Sequence, residues 1–360
     1  MSKRIAIVGG GYLGAELARS LEDTAEVTLI EQRSHFVHTS AMIRAVVTPE
    51  LLDDALIPYD KLLSRGRVLQ ARATALDAEG VTLADGSRVA ADYVVAATGS
   101  SNALPFKAKG DDIAWLRAQN AEAHARLVAA KTVAIVGAGA VGTELAGEIA
   151  HFMPDKTVYL ISDQPALFPD QPAALGRALT VKLRHMGVKL VLGARAEDLP
   201  ETTAPFEGTL TLSDGTRIEA DLVFPVLGAT ASSELLTNLP GAEVTGQGRI
   251  KVDDWLRPSP QLPNLFAAGD VAATGDGMTV VATARQGPWL TKTLKALCAG
   301  RRVEDLPRYT PWRKAPILIP LGPRRGSSFL VLKTVGDLLT RQMKGKDLFI
   351  GKYQRAFGRR

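Results

Sequence analysis

A chain that repeats itself 128 residues further on is constrained to build one kind of unit twice. Residues 5–18, IAIVGGGYLGAELA, match 133–146, VAIVGAGAVGTELA, at nine of fourteen positions. A second pair, VTLADGSRVAADYVVAATG at 81–99 and LTLSDGTRIEADLVFPVLG at 210–228, recurs at almost the same spacing. Two separated matches with a common shift predict a duplicated domain, not a chance motif. With 360 residues there is room for about two to three domains, each able to bury its own core.

Each copy opens with a short apolar run, a glycine-rich turn and a stretch of helical periodicity, then enters a second apolar run at 27–30 or 158–161. That order is a βαβ unit. Further along, Asp85-Gly86 and Asp214-Gly215 sit between alternating apolar residues, the chemistry of a tight hairpin. The expected fold is therefore α/β, with two Rossmann-like three-layer nucleotide-binding domains and a short C-terminal α+β segment. Gly9, Gly11 and Gly14 form G-x-G-x-x-G directly after the first apolar run, and Gly137, Gly139 and Gly142 repeat it. The first glycine of each set permits the tight turn, the second lets a pyrophosphate approach the backbone, and the third packs helix against strand. The helix N-terminus adds free N–H groups and a positive dipole end for the phosphates. Glu31 closes the second run of the first copy, placed to accept from ribose hydroxyls. The aligned position of the second copy is Ser162, followed by Asp163, with no arginine close by to take a 2′-phosphate. The second dinucleotide is accordingly read as NADH or NADPH.

Composition narrows the chemistry. Cys298 is the one cysteine, which excludes an intrachain disulfide framework, a cysteine zinc cluster and an internal redox-active cysteine pair. The net charge of +5 resides in the last twenty residues, which alone sum to +6, so a nucleic-acid-binding body is not expected. Too few residues precede the first apolar run for a signal peptide, Ser2 stands where myristoylation needs glycine, and no run approaches about 18 apolar residues. These features predict a cytoplasmic protein, at most peripheral on a membrane, and no metal site.

Ala97-Thr98-Gly99 closing the first copy, and 264–270 ending in Gly269-Asp270, together with the two glycine turns, resemble the two-dinucleotide-binding-domain flavoproteins. The resemblance implies that residues 1–107 and 252–310 form a discontinuous FAD-binding domain, that 108–251 bind NAD(P)H, and that 311–360 are a C-terminal segment carrying the acceptor site. It also implies that Thr98, Gly99, Gly269 and Asp270 contact FAD. Relatives that use a cysteine pair place it after the Glu31-type strand or in the NAD domain, and the stretch 39–47 here has none.

Segments 34–38, 137–148, 318–322 and 344–349 resemble the apoptosis-inducing-factor-related branch, which includes NAD(P)H:quinone oxidoreductases. By that resemblance Glu144 lies near the nicotinamide, although Glu16 at the equivalent place of the first copy allows an ordinary first-turn glutamate. His38, with His35, is a candidate proton donor to a reduced quinone, and Phe349 a candidate lining of the acceptor pocket. The tail reads as a strand Ile317–Leu321, a turn, and a helix over about 329–343 whose apolar residues pack on the FAD domain. Its basic residues are expected to touch an anionic membrane surface reversibly. Two alternatives use the same features: delivery of electrons to a small iron–sulfur protein, and a flavoprotein whose redox state regulates its binding to other proteins.

With neither a repelling carboxylate at Ser162 nor a guanidinium to attract a 2′-phosphate, the ratio of kcat/KM for NADH and NADPH is expected to stay below about a thousandfold. Steady-state kinetics with both donors checks this, and a larger ratio in either direction would show that Asp163 or another group discriminates.

Overall fold

The computed structural model describes residues 2–359. Its first sheet has five strands in the order Leu265–Ala267, Tyr93–Ala96, Arg4–Val8, Glu26–Glu31, Arg67–Gln70, every pair parallel. Strand residues 5–8 are buried on both faces, as a parallel sheet between helical layers requires. The chain thus returns to its first sheet after the second domain is complete, through Leu265–Ala267. The helix that follows, Val280–Cys298, packs Leu290, Leu294 and Leu297 into the same core as Leu13, Leu17 and Leu21 of the helix Tyr12–Leu21. Cys298 is half-buried at the edge of that core, and burial pushes its thiol pKa up, away from reactivity.

The second sheet has six strands, Lys189–Leu192, Thr157–Ser162, Thr132–Val136 and Arg217–Pro225 in parallel, then Phe206–Leu212 and Ala196–Glu197 antiparallel. The duplication survives in its hydrogen bonds. Gly9 donates its N–H to Ile30 O at 2.9 Å and Gly137 donates to Ile161 O at 2.8 Å. Asp92 accepts from the Arg4 N–H at 2.7 Å, and Asp221, its counterpart, accepts from Lys131 and Thr132 N–H, each at 2.8 Å. The copies part where the hairpin meets the sheet. In the first, Arg88–Ala90 belongs to a separate three-stranded meander and Tyr93–Ala96 starts afresh. In the second, Arg217–Pro225 is continuous and serves both partners.

The C-terminal segment corrects the sequence reading. Ile317–Leu321 is a strand as expected, but 329–343 is not a helix: Arg325–Phe329 pairs antiparallel with Ile317–Leu321, and Thr334–Val335 adds a short third strand. Only Asp337–Thr340 and the wide turn Arg341–Gly345 are helical, followed by Ile350–Ala356. Leu330, Val331 and Leu332 fall at the turn between strands, Val331 with φ +67°, so their apolar run has no helical meaning. The hairpin packs on the second domain and not on the FAD domain. Gly147 makes this possible: a Cβ there would stand 2.5 Å from Leu321 Cα. Lys182 of the helix Ala173–His185 donates to Gly326 O at 2.6 Å and to Asp337 at 2.5 Å.

Three bodies meet at one buried cation. Arg44, on the helix Thr39–Ala45 of the first domain, makes a bidentate pair with Glu148 on Ala140–Phe152 of the second, both bonds at 2.9 Å. It also donates to Gly345 O of the C-terminal segment at 2.8 Å. Arg44→Ala strands the Glu148 carboxylate in an apolar setting, and a loss of about 3–5 kcal/mol is expected in urea unfolding. The double replacement Arg44→Met with Glu148→Leu is expected to recover most of it, because neither charge then stays buried alone.

Candidate active site

A cavity of about 1190 Å³ runs from the first glycine turn to the C-terminal segment, touching the start of the second glycine helix on its way. It exceeds the roughly 300–1,000 Å³ of common ligand pockets, as a long dinucleotide requires. Gly9, Gly11, Glu31, Thr98, Gly99, Gly269 and Asp270 all line it. Gly9 has φ +102°, and a Cβ there would meet Ala97 O at 2.4 Å; one on Gly14 would meet Gly9 O at 1.8 Å. Both are glycines the fold itself needs. Gly11 is different: its φ is −66° and a Cβ would meet nothing within 4 Å, so the space above it is kept for something other than protein. The helix Tyr12–Leu21 begins there with no side-chain cap, leaving its first N–H groups for a phosphate. Glu31 is buried, its Oε2 accepting from the Gly10 N–H at 2.7 Å and its Oε1 from the Arg33 N–H at 3.0 Å. These residues fit an adenine dinucleotide with its pyrophosphate at Gly11 and its ribose toward Glu31.

Around the Gly-Asp turn, the protein fixes the backbone and leaves a carboxylate forward. Gln286 is fully buried and accepts from the Gly269 N–H at 2.7 Å, while its Nε2 donates to Thr274 Oγ1 at 3.0 Å. Arg249 spends its guanidinium on carbonyls, Asp270 O at 3.1 Å and Asp276 O at 2.8 Å among them. Asp270 itself accepts from Ser100 Oγ at 2.5 Å and lies 3.3 Å from Lys107 Nζ. Thr98 donates to Ser232 O at 2.7 Å, tying the two halves of the cavity wall.

The second cradle repeats the first. A Cβ on Gly137 would meet Val226 O at 2.0 Å and one on Gly142 would meet Gly137 O at 1.9 Å, whereas Gly139 faces open space. Ser162 and Asp163 lie outside the enclosed cavity. Ser162 Oγ accepts from the Gln164 N–H and Asp163 Oδ1 from Gln164 Nε2, both at 3.2 Å. Glu144 does line the cavity, and it is buried. Lys344 donates to its Oε1 at 2.6 Å, leaving Oε2 without a protein donor among the described residues. Burial raises the Glu144 pKa and the Lys344 ammonium pulls it back down. Glu16, its counterpart in the first copy, also lines the cavity, but on an exposed side and with no hydrogen-bond or ion-pair partner among the described residues.

His38 is fully buried and does not line the cavity. Leu348 O, 2.6 Å from Nε2, can only accept, so Nε2 carries the proton and Nδ1 accepts from Tyr12 OH at 2.8 Å. Burial pushes its pKa down to about 4, which keeps the ring neutral at neutral pH. His38 therefore acts on the cavity through Tyr12, as a positioning residue. Phe349 lines the cavity in the left-handed region, φ +64°, next to Leu348 at φ +52°. Tyr12, Lys344, Arg44 and Tyr353 were not recognised as site residues from the sequence. Tyr12 occupies a variable position of its glycine motif, and an aromatic there was the available signal. Lys344 looked like one more charge of a solvated tail.

Because Gly11 and Gly139 face open space, bulk at either position fills a cradle without straining the fold. Gly11→Val is expected to yield folded, colourless protein. Gly139→Val is expected to keep the flavin and raise the KM for NADH by at least about tenfold, roughly 1.4 kcal/mol of lost binding. Flavin absorbance, circular dichroism and steady-state kinetics distinguish these results, and flavin loss from the second variant alone would reverse the allocation.

The comparisons with known proteins agree with this geometry. The model of the pyridine nucleotide-disulphide oxidoreductase family matches residues 1–54 and 60–287. Apoptosis-inducing factor homolog A of Dictyostelium discoideum is 28% identical, with 99% of this chain and 92% of that protein covered. Ferroptosis suppressor protein 1 of Homo sapiens is 26% identical, covering 96% of this chain and 93% of the relative. Among solved structures, the sulfide:quinone oxidoreductase of the bacterium Aquifex aeolicus shares the fold with a TM-score of 0.78 at 15% identity, over 99% of this chain and 91% of that one. With its duplicated cradles for FAD and NAD(P)H, the chain belongs to the pyridine nucleotide-disulphide oxidoreductase family.

Proposed function

We propose that this FAD-dependent NAD(P)H oxidoreductase passes its electrons to a quinone. The observation that carries the reading is the far end of the cavity, where the wall beyond the glycine turns is made by Val280, Val281, Ile317, Phe349 and Tyr353. No cysteine stands there, so the site offers an apolar slot in place of a disulfide relay. A planar, lipid-soluble acceptor suits such a wall, since each buried aromatic contact offsets its removal from a hydrophobic phase.

When bound, FAD supplies the acceptance of a hydride and the release of the two electrons to the acceptor. The residues of the chain arrange that exchange. Gly139 and the uncapped start of the helix Ala140–Phe152 bind the donor's phosphates. Glu144 Oε2 accepts from a ligand amide N–H, with Lys344 fixing the carboxylate through Oε1. Asp270, oriented by Ser100 and Lys107, offers a carboxylate to FAD hydroxyls. Tyr12, with its proton directed to His38 Nδ1, keeps a polar edge on an otherwise apolar acceptor side. The reaction takes up one proton for each NAD(P)H consumed and quinol released.

An acidic iron–sulfur partner would need the basic tail as a dock, and part of that charge is already used. Lys344 is buried against Glu144, Arg359 pairs with Asp60, and Lys352 lies over the Tyr353 ring. A redox-regulated binding protein calls for no apolar acceptor slot. Flavin reduced by NADH should therefore be reoxidised rapidly by a short-chain ubiquinone and slowly by ferredoxin, read by stopped-flow absorbance. Phe349→Ala should lower quinone turnover by at least about tenfold while changing ferricyanide turnover little, because ferricyanide needs no apolar slot. Equal losses with both acceptors would remove Phe349 from the acceptor wall, and no reoxidation by quinone would overturn the reading.

A further inference from the structure

We propose that the turn and helical cap of the C-terminal hairpin, residues 331–343, form a docking face for an anionic lipid bilayer. Val331, Leu332, Leu338, Leu339 and Met343 all expose large apolar side chains, Leu332 at 93% and Leu338 at 66%. Single exposed leucines are ordinary, but five such residues in thirteen are not. They belong to one small, ordered unit. The Gly326 N–H donates to Asp337 Oδ1 at 2.8 Å, and the Ser328 and Thr340 hydroxyls bond at 2.8 Å, so the helical cap is fastened to the strands beneath it. The side chains that face inward, Val335 and Thr340, are buried. The apolar ones outside contribute nothing to that core.

Charge selects the occupant. Lys333, Arg341 and Lys346 are exposed in and beside this stretch, whereas its one acid, Asp337, is held by Lys182 at 2.5 Å. Apolar side chains rimmed by cations suit the boundary between acyl chains and acidic headgroups, where each basic residue adds to binding. A second copy of the chain on a two-fold axis would set Lys333 and Arg341 close to their own equivalents. No helix among the described residues is long and apolar enough to cross a membrane, so the contact is interfacial. This face differs from the basic tail expected from the sequence, where Lys344 is buried and Arg359 is paired. It abuts the strand Ile317–Leu321, part of which lines the cavity, so docking would bring the acceptor end beside the bilayer.

The test uses the flavin-loaded full chain with vesicles of phosphatidylcholine, with or without phosphatidylserine, at low and high salt. Cosedimentation is expected only with phosphatidylserine and is expected to weaken as salt rises. Leu332→Ser with Leu338→Ser should lower binding by about tenfold or more, and Lys333→Gln with Arg341→Gln should remove the preference for phosphatidylserine. Flavin absorbance and the unfolding midpoint should match the parent in both. Analytical ultracentrifugation of the same proteins supplies the opposing result: a parent dimer that the serine variant converts to monomer would assign the face to a second copy. Parent protein that fails to sediment, or a serine variant that binds like the parent, would also overturn the proposal. Vesicle binding is read without any acceptor, so its failure and a failure of the quinone reading are separate results.

Discussion

Two ion pairs on one helix face hold this molecule in its working arrangement. Glu144 and Glu148 are one turn apart on Ala140–Phe152, so both carboxylates project from the same side. Lys344 reaches one from the C-terminal segment and Arg44 the other from the first domain. Neither pair is a strong source of net stability, because removing four charges from water costs about what their mutual attraction returns. Their value lies in direction: an apolar contact between these three bodies would slide, and a bidentate guanidinium does not. The orientation of the second glycine helix, the seat of the tail and the shape of the cavity between them all depend on that register.

The two glycine turns, their strands and the Asp-Gly hairpins were legible in the sequence, because each is written in residues whose backbone requirements have few alternatives. Gly9 and Gly14 are needed by close approach of backbone atoms, and an alignment of the chain with itself shows the requirement twice. Asp92 and Asp221 carry the same signal more quietly, each bonding the N–H groups that start its own sheet. The tail was read less well for a physical reason. Its leucines recur at spacings that a helix would use to bury them, yet in the structure they are outside, on a strand turn and a single helical turn. Hydrophobic periodicity reports burial only if the residues are buried at all. Lys344 failed in the opposite sense, since a charge in a basic tail gives no sign that a carboxylate two hundred residues away awaits it. Tyr12 and His38 form a contact between positions that neither motif nor periodicity relates.

Duplication also shows how one helix position acquires two uses. Glu16 and Glu144 are equivalent in sequence, each two residues beyond the third glycine of its turn. Around Glu144 the C-terminal segment supplies Lys344 and excludes water; around Glu16 no such partner is present among the described residues, and the side chain stays exposed. The chemical difference between the two halves was imposed from outside them, by what the chain adds after both are complete.

That addition is attached lightly. The tail meets the second domain where Gly147 lets Leu321 settle on the helix backbone, and meets the first through single carbonyls, Gly345 O to Arg44 and Leu348 O to His38. Neither parallel sheet borrows a strand from it. A lineage carrying this architecture can therefore exchange its tail, and with it the wall that selects the electron acceptor, while both nucleotide-binding cores continue to fold unchanged. New acceptors become accessible by altering some fifty residues at one end of the chain, and the glycine at 147 is the hinge on which such an exchange turns.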